Sequence, residues 1–288
     1  MQRKFVLPIV VLWAAVTASA ANPETKSGNF KTSDGVRLHY LEAGSGPSIV
    51  FVPGWTMPAW IWQDQIRYFA GHYHVVALDP RSQADSEKVS EGNFPERRAR
   101  DIKELVDELK LGPVVLVGWS LAVSDLLTYA EEFGGNNIKA YALVDGFAWD
   151  KIDPQFFVAI AGFYRQIQIN RPDFTEKFVR SMYKKQQPEN YIQRIIKVSL
   201  QMPSDSAIAA SVSAVARPDW RPAIAKIDRP VLITCQEGTK PMAADLIKSM
   251  IPSARVETFP TAGHALFVDD ADHFNSVLED FIQHPPGQ

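Results

Sequence analysis

The sequence predicts an α/β fold: a mostly parallel central sheet with helices on both faces and an inserted helical cap. Three observations predict it. Short apolar runs alternate with amphipathic helical segments from Ser48 to Val144, the pattern of a sheet covered on both faces. Between about Pro154 and Ala225 the pattern holds helical segments and no strand signal. The alternation then resumes from Val231 to Ile282, so the helical stretch is an insertion in one continuing pattern.

Each element follows from local residues. Val36 to Leu41 reads as a strand after the turn signal Ser33-Asp34-Gly35. Ser48 to Val52 is a short apolar run between Gly46-Pro47 and Pro53-Gly54, as in a buried strand. Ala59 to Ala70 reads as an aromatic-rich helix, and His74 to Leu78 as a strand ending at Asp79-Pro80. Glu96 to Leu111 places Ile102, Leu105, Val106 and Leu109 at helical spacing, and Gly112-Pro113 stops it. Val114 to Val117 is a buried strand, Leu121 to Phe133 a helix ended by Gly134-Gly135, and Ala140 to Val144 a strand. After the insertion come strand Val231 to Cys235, helix Met242 to Met250, strand Arg255 to Phe259 and a last amphipathic helix, Ala271 to Ile282.

Composition narrows the function classes. The chain has 288 residues, 46% hydrophobic and 22% charged, enough to bury a sizeable core without metal or disulfides. A net charge of -3, with both signs interspersed, argues against a nucleic-acid partner. The single cysteine, Cys235, lies in an apolar run and reads as a buried, inert thiol. No H-E-x-x-H or paired-cysteine spacing points to a metal site. At the N-terminus, Arg3 and Lys4 precede the apolar run Phe5 to Val16 and the small residues Ala18-Ser19-Ala20, the three-part form of a secretory signal peptide. Residues 1–20 are expected to be removed, leaving Ala21 first. The alternative, an uncleaved anchor, meets an apolar run shorter than the roughly 20 residues a span needs. The mature protein is expected to be exported, periplasmic or secreted, with no stable membrane insertion.

The chemistry centres on Gly118-Trp119-Ser120-Leu121-Ala122, where a buried strand runs straight into a helix. That setting holds a serine on a sharp turn above the sheet edge, and small flanking residues let strand and helix pass closely. The motif has Ala122 where glycine is usual, and taken alone it is equally an ordinary strand–helix turn. A serine hydroxyl needs a base to become a nucleophile. Of six histidines, His264 stands apart, in the loop Pro260 to His264 after the last strand. That is the carboxyl end of a sheet, where such enzymes place their sites.

Several segments resemble one family. Val114 to Ser120 resembles the nucleophile elbow of α/β-hydrolases, and Phe51-Val52-Pro53-Gly54-Trp55 their oxyanion loop, with Pro53 replacing histidine. Asp79 to Ser86 resembles the D-x-R-G-x-G-x-S loop, with Ser82 and Ala84 in place of glycines, and Ala262 to Phe267 resembles the histidine loop. The resemblance implies Ser120 as nucleophile, His264 as general base, and an oxyanion hole from the backbone N–H groups of Trp55 and Leu121. It implies no cofactor.

The third member of the triad is open in the sequence. The resemblance puts an aspartate where Thr239 stands, after the Val231–Cys235 strand. Asp145, ending the preceding strand, and Glu237, two residues short of the usual position, are the replacements, with Asp150 an outsider. Asp145 is preferred, although an aspartate at a strand end is also a common loop cap.

The expected organisation is a core of residues 21–146 and 228–288, with residues 147–227 as a cap over the site. Phe156, Phe157, Phe163, Tyr164, Phe174 and Tyr183 lie in the cap, either packing its helices or lining an apolar pocket. Trp55, Trp60, Trp62 and Trp119 are expected near the pocket mouth. The expected activity is a serine hydrolase on a small to medium, largely apolar carboxylic ester or related acyl substrate. The departures at Ser82, Ala84, Ala122 and Thr239 motivate the rival, a non-catalytic ligand-binding protein on the same scaffold.

Overall fold

A computed structural model describes residues 23–152, 154–237 and 243–286; side chains of Pro154 and Phe157 lie outside the description. Its strands are β1 (Lys26–Lys31), β2 (Arg37–Ala43), β3 (Ser48–Val52), β4 (His74–Asp79), β5 (Val114–Trp119), β6 (Ile138–Val144), β7 (Val231–Gln236) and β8 (Arg255–Phe259). They form one sheet in the order β1-β2-β4-β3-β5-β6-β7-β8. β2 runs antiparallel to β1 and β4, and every other pairing is parallel. The chain places β4 on one side of β3 and β5 on the other, so strand order reverses there. The crevice at the carboxyl ends of such a reversal is where parallel sheets take ligands.

All residues of β3 and β5 are buried, as two covered faces require. Alternate residues sort between the faces. Val50, Val52, Val76, Leu116 and Val114 pack with α2 (Pro95–Glu108) and α3 (Ala122–Phe133) through Ile102, Leu105, Leu126 and Leu127. Ile49, Phe51, Val75, Val115 and Val117 pack with α1 (Gln63–Phe69) and α10 (Ala271–Gln283) through Ile66, Phe69, Phe274 and Phe281. Each fully buried side chain of this size contributes roughly 1.5–3 kcal/mol by leaving water. Cys235 is buried too, and that burial pushes its thiol up from the ordinary range.

Between β6 and β7 lie only helices among the described residues: α4 (Pro154–Ser181), α5 (Glu189–Ser199), α6 (Ser204–Val215) and α7 (Arg221–Ile224). α4 is broken at Asn170, two residues before Pro172. Proline has no N–H for the carbonyl one turn back and disfavours helical geometry in the residue before it. Asn170 Oδ1 accepts the Asp173 N–H at 3.4 Å, capping the second half. α8 (Ala244–Met250) and α9 (Leu266–Asp269) complete the set, and no described helix is long and apolar enough to cross a membrane.

The strand and helix expectations agree with these elements to within a few residues. β1 and α9 were not anticipated. The proposed signal segment, residues 1–20, Thr239 and Met242, the expected first residue of a helix, lie outside the described residues.

Candidate active site

The turn between β5 and α3 holds Ser120 at φ 59, the left-handed region that side chains other than glycine rarely adopt. Such a conformation costs on the order of 1–3 kcal/mol and must be held by its surroundings. Ser120 N–H donates to Val144 O at 2.9 Å, and its own carbonyl accepts the Val123 N–H at 3.0 Å. A Cβ at Gly118 would lie 2.9 Å from Leu126 Cδ2 and 3.0 Å from Ala122 O, which explains glycine there. Ala122 is fully buried, so its methyl is accommodated without opening the elbow.

His264 Nε2 lies 2.9 Å from Ser120 Oγ, and His264 Nδ1 lies 2.6 Å from Asp145 Oδ2. A carboxylate only accepts, so Nδ1 carries a proton, and in the neutral imidazole Nε2 is then the acceptor facing the serine. Asp145 follows β6, its side chain 5% exposed, and also has a left-handed backbone, φ 42. Its N–H donates to Thr234 O at 2.8 Å. Gln236 holds the carboxylate with two donors, backbone N–H to Oδ1 at 3.2 Å and Nε2 to Oδ2 at 3.0 Å. Glu237, the alternative acid, is exposed, and its backbone N–H reaches back to Phe259 O at 3.4 Å. Asp150 is exposed as well.

The histidine loop is clamped from the cap side. Asp269 Oδ2 accepts both the Gly263 N–H at 2.8 Å and the Lys184 N–H at 2.6 Å, while Ala265 N–H donates to Met182 O at 2.9 Å. The indole of Trp119 donates to His264 O at 2.9 Å from below. A Cβ at Gly263 would come within 2.7 Å of Met182 O, so glycine permits this close approach. Sequence reasoning missed Gln236 and Asp269.

The oxyanion candidates flank Ser120. Gly54 packs against the elbow so closely that a Cβ there would lie 3.0 Å from Ser120 Cβ and 3.1 Å from the Trp119 ring. Neither the Trp55 nor the Leu121 N–H donates to a backbone carbonyl among the described residues. The side chains of Trp55 and Leu121 join Ile167, Met202 and Ala207 in an apolar cluster, with Phe163, Phe174 and Phe178 packed on it. The Trp55 indole donates to Ala207 O at 2.6 Å, tying the loop after β3 to α6.

Of the other tryptophans, Trp62 corrects an expectation. Trp62 is fully buried and stacked on Phe267 at 3.8 Å, a core residue rather than a pocket wall. Trp119 lies beneath His264, and Trp60 faces the Arg194 guanidinium at 3.9 Å. Of the cap aromatics, Phe163 and Phe174 reach Trp55, Phe156 packs on Trp149, and Tyr183 pairs with Tyr191.

Ligand atoms of His39, Asp79 and Asp85 lie within 4.8 Å of one another. The Asp79 carboxylate is already occupied there by His39 Nδ1 at 2.7 Å and by the Ala59 and Asp85 N–H groups at 2.5 and 3.2 Å. That arrangement ties β2, β4 and the following loop together.

The sequence matches the model of the alpha/beta hydrolase family over residues 49–275. It is 24% identical over 272 residues to a non-heme chloroperoxidase of Kitasatospora aureofaciens, covering 87% of this chain and 98% of that protein. Among solved structures, bromoperoxidase from Bacillus anthracis superposes with TM-score 0.83 at 20% identity, covering 90% of this chain and 100% of that one. An esterase from Exiguobacterium antarcticum gives TM-score 0.82 at 22% identity, covering 88% and 98%. Such identities with solved structures speak for the fold. The family match spans most of the chain, from β3 into α10, and the chain belongs to the alpha/beta hydrolase family.

Proposed function

We propose that the protein is a serine hydrolase of apolar carboxylic esters, working through an acyl-enzyme on Ser120. The observation that carries this reading is the unbroken hydrogen-bond chain Ser120–His264–Asp145, with Nε2 of the histidine 2.9 Å from the serine Oγ. His264 takes the hydroxyl proton as Ser120 Oγ attacks the ester carbonyl carbon. The N–H groups of Trp55 and Leu121 bind the oxygen that becomes negative, each worth roughly 3 kcal/mol in the transition state. His264 then returns the proton to the leaving alcohol. A water, deprotonated by the same imidazole, attacks the acyl carbon and frees the acid and Ser120.

The apolar cluster around Trp55 supports a hydrophobic acyl or alcohol group of small to medium size. Residues 147–227 act as the cap over that group. The complete hydrogen-bond chain weighs against the non-catalytic reading. Perhydrolysis is a second reading, favoured by the similarity to a chloroperoxidase. Hydrogen peroxide in place of water would release a peracid from the same acyl-enzyme. We also propose export, periplasmic or secreted, directed by residues 1–20.

A p-nitrophenyl ester series from acetate to octanoate tests the activity. Saturable hydrolysis with a burst of p-nitrophenol, absent in Ser120→Ala, is expected. A folded protein that hydrolyses none of the series above background would sink the ester reading. Mass spectrometry of secreted or periplasmic protein beginning at Ala21 is the expected outcome for export.

A further inference from the structure

The loop Asp79 to Ser86 has no part in the chemistry above, yet it sends one side chain to the site. Gln83 is fully buried, and its Nε2 donates to Gly54 O at 3.0 Å and to Met57 O at 2.8 Å. Its Oε1 accepts from Arg98 Nη1 at 3.3 Å. The amide orientation is dictated by these partners, because the reverse would set oxygen against two carbonyls and N–H groups against a guanidinium. Arg98, also buried, donates from Nε to Asp125 Oδ2 at 2.9 Å. Its Nη2 lies 2.8 Å from the same oxygen without hydrogen-bond alignment. Asp125 sits in the first turn of α3, the helix that the nucleophile elbow opens.

Gly54 O and the Trp55 N–H belong to one peptide plane. In a trans peptide the two point in opposite directions and turn together. Gly54 O is gripped by Gln83 Nε2 and by the Met57 N–H at 3.2 Å. Fixing that carbonyl fixes the direction of the N–H on the other side. The next residue, Thr56, has φ 63, so this stretch does not hold its shape by local preference alone.

We propose that Gln83 is the positioning residue of the oxyanion hole, aiming the Trp55 N–H through the Gly54 carbonyl. Arg98 and Asp125 anchor it to the helix that carries the nucleophile. The relay joins the two halves of the hole, Trp55 after β3 and Leu121 before α3. This assignment rests on the reading of Ser120 as nucleophile.

The test uses Gln83→Met and Gln83→Glu with p-nitrophenyl butyrate as probe. Met keeps the length without hydrogen bonds. Glu keeps the length and the Arg98 partner, removes the N–H donors and sets a carboxylate oxygen against the two carbonyls. Both variants are expected to lose kcat roughly 10- to 100-fold, the scale of a misaimed or missing transition-state donor. KM and the acid limb of the pH–rate profile should stay as in the wild type, since His264 and Asp145 are untouched. Crystal structures should show the Gly54–Trp55 peptide rotated. Full kcat in folded Gln83→Glu, or a loss confined to KM, or an unmoved peptide would overturn the assignment. A wild-type protein that hydrolyses nothing would count against Ser120 as nucleophile, and the peptide orientation would still decide the role of Gln83.

Discussion

Asp145→Asn is the most informative single perturbation of the proposed triad. The side chain is 5% exposed and accepts from His264 Nδ1 at 2.6 Å, from Gln236 Nε2 at 3.0 Å and from Gln236 N–H at 3.2 Å. Asparagine has one acceptor oxygen and one donor nitrogen. With the amide oxygen in the place of Oδ1, held by the Gln236 N–H, the N–H₂ stands in the place of Oδ2 and faces His264, and the Gln236 side-chain amide turns over to accept from it. Nδ1 must then accept, the ring proton moves to Nε2, and the imidazole presents a donor where Ser120 needs an acceptor. The steric change is negligible and the tautomer is wrong. Such a reversal lowers kcat by about 10⁴-fold, or about 5.4 kcal/mol at 1.36 kcal/mol per decade. The assay is steady-state hydrolysis of p-nitrophenyl butyrate beside thermal unfolding of the same preparation. Exposed Glu237 serves as the control, and Glu237→Gln is expected within about twofold of wild type. Asparagine retaining a tenth of the activity, or Glu237→Gln losing most of it, would refute the assignment of the acid.

Other outcomes follow from the same geometry. Gln236→Leu removes one of the two donors holding Asp145, so kcat should fall roughly tenfold with KM unchanged; an unchanged kcat would show that the backbone N–H suffices. Gly146→Ala would put a Cβ 2.2 Å from Val123 Cγ2 and 2.9 Å from Ser120 O, costing about 1–3 kcal/mol and lowering both Tm and activity; a wild-type Tm would contradict the close contact. Partial burial tends to raise the Asp34 carboxyl, but hydrogen bonds from Thr32 and Arg81 and the charges of Arg81 and Arg97 outweigh it and bring it from 3.8 to about 2. A depressed carboxyl stabilises the folded state above its unfolded value and loses that contribution as pH falls through the folded one. Asp34→Asn should therefore be less stable than wild type above pH 3.8, with the difference closing as pH falls towards about 2, measured by urea unfolding across that range, and a difference that does not change with pH would contradict it.

Much of this architecture was legible in the sequence because it is written in local period and punctuation. β3 and β8 begin and end where expected, the first because Gly46-Pro47 and Pro53-Gly54 bracket a wholly apolar run. β1, Lys-Ser-Gly-Asn-Phe-Lys, buries only Phe30, and it is a strand because β2 pairs with it. The elbow and the histidine loop could be found from a strand–turn–helix and a strand-end loop. The choice between Asp145 and Glu237 could not, since it turns on which side chain points at His264. Gln236, Asp269 and Gln83 were invisible for another reason. Each acts on a partner far along the chain, 91, 85 and 29 residues away, and no local pattern marks a polar residue for such a task. Trp62 was misjudged because an aromatic helix looks alike whether it faces a pocket or the core.

The central claim, an activated serine at the carboxyl edge of the sheet, is tested most directly by covalent labelling with a fluorophosphonate, read by intact mass. The account expects one adduct per mature chain, on Ser120, lost in Ser120→Ala and in His264→Ala. A folded wild-type protein that takes up no label, or that carries the label in Ser120→Ala as well, would contradict it.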